Sequence, residues 1–178
     1  DTALSFLGQM YLALGKTEEA EEALSMMELG EERQPLETFL LLLRDEKDRL
    51  SEVSEETLAT SSLSPGWQRL LLALVLSAQE DFEGALSALG EVDNFSQDDT
   101  RLRFHAMADR IAILHELDRE AELWLAAENA LSEGRGRLRP ETMEFETSTV
   151  SLFAVIGKIY ARRGKDREAR QILEELRR

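Results

Sequence analysis

The stretch LGQMYLALGKTEEAEEAL, residues 7–24, decides the fold, because IGKIYARRGKDREARQIL, residues 156–173, repeats its pattern at a constant offset. Apolar residues recur every three or four positions in both stretches, which is the period of an α-helix. A glycine then interrupts the pattern, at Gly15 and at Gly164, where a helix commonly ends in a tight turn. Acidic residues follow and suit the positive start of another helix. Each stretch therefore predicts a helix, a turn and a second helix.

Small residues stand where the two helices of each hairpin would approach one another. We expect Gly8 to face Ala20, and Gly157 to face Ala169, because a minimal side chain lets two backbones come close. A hairpin with this spacing resembles the tetratricopeptide repeat, a helix–turn–helix unit of about 34 residues. The residues that carry the resemblance are Leu7, Gly8, Tyr11, Gly15 and Ala20 in the first copy, and Ile156, Gly157, Tyr160, Gly164 and Ala169 in the last.

The alanine that opens the second helix identifies weaker copies between the two ends. Ala85 in DFEGALSAL and Ala121 in LDREAELWL take this place, and the gap between Ala20 and Ala85 leaves room for one eroded hairpin. We therefore predict a single tetratricopeptide-like domain over residues 1–178, an all-α, right-handed superhelix of about five hairpins. The predicted hairpins span 1–30, 35–63, 65–92, 98–133 and 140–178. A generic helical bundle is the alternative, since its amphipathic helices would show similar patterns.

The two ends of the chain predict a piece of a larger protein. The sequence starts at Asp1 without a methionine, and it stops with Ile172, Leu173 and Leu176 uncovered by any following helix. A helical repeat array needs a polar cap at each end. We expect further repeats, or another chain, to cover these residues.

Composition and motifs argue against catalysis and against nucleic acid. The net charge of −15 would repel a phosphate backbone. No cysteine is present, and His105 and His115 lack the spacing of metal ligands. Because phosphate-binding, dinucleotide and nucleophile motifs are all absent, we expect no enzyme, cofactor or metal site. The longest apolar run, residues 39–43, is too short to cross a membrane, and a cytoplasmic location is expected, with the periplasm as the alternative.

The resemblance implies that a partner's peptide binds a concave surface lined by the first helix of each hairpin. Counting back from the opening alanines predicts an apolar centre and a basic C-terminal half. The predicted contact residues are Gln9, Trp67, Leu70, Leu74, Arg103, Met107, Arg110, Lys158 and Arg162. A cationic stripe within an acidic protein favours an acidic or carboxylate-bearing peptide with an apolar anchor. In the alternative interpretation, Arg103 and Arg110 pair with acidic neighbours and Trp67 belongs to the core.

These patterns predict a scaffold for protein–protein interaction and complex assembly. Two other functions stay open. One is a signal-sensing segment of a multidomain regulator, in which the repeats pass a signal to an attached output domain. The other is an RNA-binding helical repeat, which the acidic balance opposes.

Overall fold

The computed structural model is all-α over the residues that it describes, which are 4, 7, 8, 11, 16–28, 30, 32–135 and 147–177. The helices are α1 Thr17–Ser25, α2 Arg33–Leu43, α3 Lys47–Leu50, α4 Glu55–Ala59, α5 Pro65–Ala78, α6 Phe82–Val92, α7 Thr100–Glu116, α8 Glu120–Arg135, α9 Thr147–Arg162 and α10 Asp166–Arg177. The prediction of an all-α fold is confirmed. No helix in the described ranges is both long and apolar enough to cross a membrane. Two predicted residues, Gln9 and Gly15, lie outside the described residues.

The chain divides into two compact units, residues 1–91 and 92–178. In the first unit, α1 packs on α2, and α5 contacts α2, α3 and α4. One apolar cluster joins α1 to α2 through Ala20, Leu24, Met27, Leu36 and Leu40, and another joins Leu41, Leu50 and Val75.

In the second unit, α7 packs against α8 and α9, and α9 also packs against α10 and α8. Its core contains Phe104, Ile111, Leu123, Leu152, Phe153 and Ile156, all of them almost completely buried. The long helices α7 and α9 thus lie side by side in one compact body, and each is followed by the second helix of its own hairpin.

Short polar side chains start several of the helices. Ser54 accepts a hydrogen bond from the Thr57 N–H at the start of α4, and Asp99 accepts one of 3.0 Å from the Leu102 N–H at the start of α7. These side chains satisfy backbone donors that have no partner inside the helix. Pro65 opens α5, where its missing N–H costs nothing.

Five turns share one hydrogen-bond pattern. In each, a backbone N–H donates to the carbonyl five residues earlier: Lys16 to Tyr11, Glu46 to Leu41, Asp81 to Leu76, Arg119 to Leu114 and Lys165 to Tyr160, at 2.8–3.1 Å. This bond is the longer of the two that define a Schellman ending. The donor residue of each turn gives a common register, from which equivalent positions in the hairpins can be counted.

The residue just before the donor adopts a left-handed backbone in every turn whose residue at this place is described. It is a glycine only at Gly164, with φ 71°, and elsewhere it is Asp45, Glu80 or Asp118, with φ 54°, 66° and 53°. Aspartate tolerates this conformation better than most side chains. Glycine was the residue that predicted the turns, so the turns without glycine were the hardest to locate from the sequence.

In the shared register, three of the four predicted opening alanines take the same place, and the fourth does not. Four residues after each turn donor lie Ala20, Leu50, Ala85, Leu123 and Ala169, all buried. Ala121 is exposed, so its assignment was wrong by two positions, and Leu123 fills the place instead. Leu50 marks the eroded hairpin. The sequence pattern did not identify this position in the second and fourth hairpins because leucine occupies it there instead of alanine.

The other residues of the predicted repeat pattern differ in burial. Ile156 and Tyr160 are buried, Tyr11 is half-buried, and Leu7 is exposed. Gly8 is buried, and a Cβ atom there would clash with the Leu36 side chain of α2. The nearest side chain to Gly8 therefore belongs to Leu36 of the next hairpin, and not to Ala20 as expected.

Gly157 does not sit against Ala169 as predicted. A Cβ atom at Gly157 would lie 3.5 Å from the nearest atom of Ile172, an ordinary contact, with no closer neighbour. At Gly134, by contrast, a Cβ atom would clash with the ring of Phe153, which is fully buried. The close helix–helix approach in this unit therefore depends on Gly134, which the sequence did not single out.

These two glycines predict opposite effects of the same substitution. Gly157→Ala should stabilise the chain by about 0.5–1 kcal/mol, because alanine is the better helix former and fits the available space. Gly134→Ala should destabilise it by roughly 1–2 kcal/mol, since overpacking outweighs the helix preference. Urea unfolding followed by far-UV circular dichroism measures both changes. A stabilising Gly134→Ala would show that Phe153 moves aside freely.

A polar side chain two residues before the turn donor ties each of three hairpins to the hairpin before it. Arg44 Nη2 lies 2.6 Å from Glu21 Oε2, Gln79 Nε2 donates to the Leu50 carbonyl at 2.8 Å, and Arg163 Nη1 lies 2.7 Å from Asp118 Oδ1. The contacts of Arg44 and Gln79 lie in the first unit, and those of Arg163 in the second. Arg163 also donates to Nδ1 and the carbonyl of His115, which positions the end of α9 against the turn after α7.

Candidate interaction surface

The corrected register changes which residues of α7 are equivalent to the cations of α9. Lys158 and Arg162 precede their turn donor, Lys165, by seven and three residues. The same distances before Arg119 give Ala112 and Glu116, and not Arg110 and Leu114. The predicted basic stripe therefore does not continue from α9 onto the equivalent face of α7.

The two arginines predicted for that stripe are engaged within the second unit. Arg103 Nη2 lies 2.8 Å from Glu133 Oε2 on α8, and Arg110 Nη2 lies 3.0 Å from Asp93 Oδ2. Both side chains are partly buried. The interpretation in which these arginines pair with acidic neighbours is the one that the structure supports, and neither offers a free charge to a ligand.

The predicted apolar centre is largely part of the protein interior. Leu70 is only 4% exposed and belongs to the core. Trp67, Leu74 and Met107 are half-buried. Trp67 and Leu74 lie on α5 in the first unit and Met107 lies on α7 in the second, so each contributes an exposed edge to its own unit.

Lys158 and Arg162 differ from the two arginines of α7. Both side chains are exposed, and neither forms an ion pair with a residue that the structure describes. They lie one turn apart on α9, a helix that contains no acidic residue. Among the α9 residues whose burial is described, the other exposed side chains are all small: Ser151, Ala154 and Ala161. We call these five residues the α9 strip.

The cations of the α9 strip belong to a basic stretch of an acidic chain. Residues 158–170 contain six basic and two acidic side chains, whereas the whole chain has a net charge of −15. Arg163 is bound to Asp118 as described above. Arg167 and Arg170 are exposed on α10 and are therefore not part of the α9 strip. A local positive potential is therefore concentrated at the end of α9, which has no acidic residue, whereas α10 carries four acidic and three basic residues.

An aromatic pair lies beside this stretch and was missed by the sequence reasoning. The rings of Trp124 and Tyr160 stack with centroids 5.0 Å apart and an interplanar angle of 27°. The Nζ atom of Lys165 lies 3.6 Å from the Trp124 centroid, a distance at which a cation is attracted to a ring face. Trp124 carried no periodic signal that distinguished it from the other apolar residues of α8.

No protein-family model matches the chain, and no curated protein or solved structure matches it either. The tetratricopeptide resemblance thus depends on the sequence pattern of the first and last hairpins and on the turns that the hairpins share.

Proposed function

We propose that the chain is a tetratricopeptide-like module for protein–protein interaction, which binds an acidic segment of a partner along the α9 strip. The observation that carries the proposal is the pair of exposed cations, Lys158 and Arg162, at the end of a row of small side chains. Small residues let a peptide backbone approach the helix closely. The two cations then lie one turn apart, a spacing suited to carboxylates of an extended or helical segment.

The intramolecular ion pairs elsewhere support the choice of this surface. Most other cations of the described residues already face a carboxylate, as Arg103 and Arg110 do. A partner that bound there would have to break an existing pair, whereas Lys158 and Arg162 would gain one. Long-range repulsion by the acidic remainder of the chain would restrict acidic segments to this basic stretch.

The test selects peptides from a phage-displayed random library on the intact chain and measures the binding of the best peptides by fluorescence anisotropy. We expect selected peptides to be enriched in Asp and Glu. The variant Lys158→Glu with Arg162→Glu should weaken their binding roughly tenfold or more, because two attractive charges become repulsive. Raising the salt concentration should reduce the difference.

The matched control is Arg167→Glu with Arg170→Glu, which changes the net charge by the same amount on α10. Binding by this control should fall much less. Equal losses in both double variants would show a general charge effect and overturn the proposal. A steeply salt-dependent association with labelled poly-uridylate would favour the RNA-binding alternative instead.

A further inference from the structure

We propose a second binding site in the second unit, a pocket between α8, α9 and α10 that takes a lysine or arginine side chain of a partner protein. The cavity has a volume of about 250 Å³, and its lining includes Glu128, Leu131, Tyr160, Glu168 and Ile172. It lies apart from the α9 strip in its lining residues and is opposite to it in charge preference. The site does not depend on the function proposed above.

Two carboxylates give the pocket its negative charge. Glu128 and Glu168 line it from α8 and α10, and neither forms an ion pair with a residue that the structure describes. The cation that also lines the pocket is already engaged, because Arg135 makes two hydrogen bonds of 2.9 Å to the carboxylate of Glu175. The pocket therefore keeps two carboxylates whose charge is not compensated within the described part of the chain.

The hydroxyl group of Tyr160 is a polar group of the pocket lining. The residue is only 7% exposed, it lines the pocket, and its hydroxyl forms no hydrogen bond with the described residues. The hydroxyl is therefore available to a hydrogen-bonding group that enters the pocket. Burial, followed by the negative charges of Glu128 and Glu168, raises the pKa of Tyr160. The hydroxyl oxygen thus lies in a negative potential and is suited to accept a hydrogen bond from a cation.

The shape of the pocket selects a long side chain with a charged end. Leu131 and Ile172 are buried apolar residues of the lining, and they would contact the methylene groups of lysine or arginine. Such side chains bury their apolar stem while the charged group meets polar atoms. The cavity is smaller than the range typical of drug-sized ligands, which matches the size of one side chain. An anionic ligand would be repelled by both carboxylates.

The chain's own nearby lysine does not take this place. Lys165 Nζ lies over the Trp124 ring, at 3.6 Å from its centroid, and 5.6 Å from the Tyr160 centroid. Its ammonium therefore contacts the aromatic faces rather than either pocket carboxylate. The net charge of −15 also attracts cationic partners over longer distances.

The test titrates the intact chain with N-acetyl-lysine methylamide and N-acetyl-arginine methylamide, and with N-acetyl-norleucine methylamide as the uncharged control. Binding is followed by NMR at the methyl groups of Leu131 and Ile172 and at the ring of Tyr160. We expect saturable shifts at these groups with the two cationic compounds at millimolar concentrations. The norleucine compound should bind at least fivefold more weakly.

Variants separate this site from a general charge effect. Glu128→Gln with Glu168→Gln should weaken the binding of the cationic compounds about tenfold, whereas the control Glu116→Gln with Glu174→Gln should not. All four carboxylates are on exposed residues, and circular dichroism checks that the fold is kept. Lys158→Glu with Arg162→Glu should leave this binding intact, so failure of the α9 strip is distinguishable. Equal binding of norleucine, or no shift at the three reporter groups, would overturn the proposal.

Discussion

Leu123→Ala should destabilise the second unit by about 2–5 kcal/mol, whereas Ala121→Gln should change the free energy of unfolding by less than about 0.5 kcal/mol. Leu123 is completely buried at the place that Ala20 and Ala85 take in other hairpins, so its truncation leaves a cavity. Ala121 is exposed, and glutamine is a good helix former. Urea unfolding, monitored by circular dichroism and by tryptophan fluorescence, measures both values.

The same pair of variants distinguishes the two registers. If Ala121 opened the second helix of this hairpin as the sequence predicted, a glutamine there would be forced into the gap between α7 and α8. Its cost would then exceed that of the leucine truncation. A severe loss at Ala121 with a mild one at Leu123 would therefore contradict the turn register, and with it the reassignment of Ala112 and Glu116.

The helical hairpins were predictable from the sequence because their period and their turn residues are local. Spacings of three and four residues mark the helices, and Gly164 marks a turn whose left-handed backbone favours glycine. The register of the fourth hairpin was not predictable in this way. Its turn uses Asp118 in place of glycine, and its packing position uses Leu123 in place of alanine. Asp118 and Leu123 have the same physical roles as the glycine and the alanine of the other hairpins, but they do not match the sequence pattern.

Most features of the candidate sites depend on contacts between distant residues. Arg103 donates a hydrogen bond to Glu133, thirty residues later in the chain, and no local sequence pattern predicts such a pair. Trp124 stacks on Tyr160 from another hairpin, and the pocket beside them needs three helices to form. Lys158 and Arg162 were located from the sequence by counting back from Ala169 within one hairpin, and both are exposed on the single helix α9. Single-helix features were thus accessible, while charge pairing between helices was not.

Asp109 occupies a place that apolar residues take in other hairpins. It precedes its turn donor by ten residues, and the equivalent residues of the first unit, Leu36 and Leu71, are both 1% exposed. Asp109 is half-buried, and none of the described residues forms an ion pair or hydrogen bond with its carboxyl group. Burial alone raises the pKa of Asp109 from 3.8 to about 7.

This raised pKa predicts a stability that falls as the pH rises. The folded chain holds the Asp109 proton more tightly than the unfolded chain, so the stabilisation is fully present below pH 3.8 and is lost as the pH approaches 7. One pKa unit corresponds to about 1.4 kcal/mol, which gives a loss of roughly 4 kcal/mol across this window. Exposed carboxylates such as Glu21 and Glu55, whose pKa values are lowered by arginine partners, act in the opposite direction.

Asp109→Asn should therefore stabilise the chain relative to the original protein at pH 8, by about 2–4 kcal/mol, and the advantage should shrink towards zero near pH 4. Taking the difference between the two proteins at each pH removes the contribution of the exposed carboxylates, because both proteins share them. Urea unfolding at intervals from pH 4 to pH 8 supplies the curve. The control is Asp98→Asn, which removes the same charge from an exposed residue, and its effect on the free energy of unfolding should hardly change with pH. Asp99→Asn is unsuitable as a control because the Asp99 side chain caps α7. An equally flat difference for Asp109→Asn would mean that the carboxyl group ionises normally, either in contact with water or beside a compensating charge. The helix α7 would then accommodate a charged aspartate at the place where other hairpins have Leu36 and Leu71.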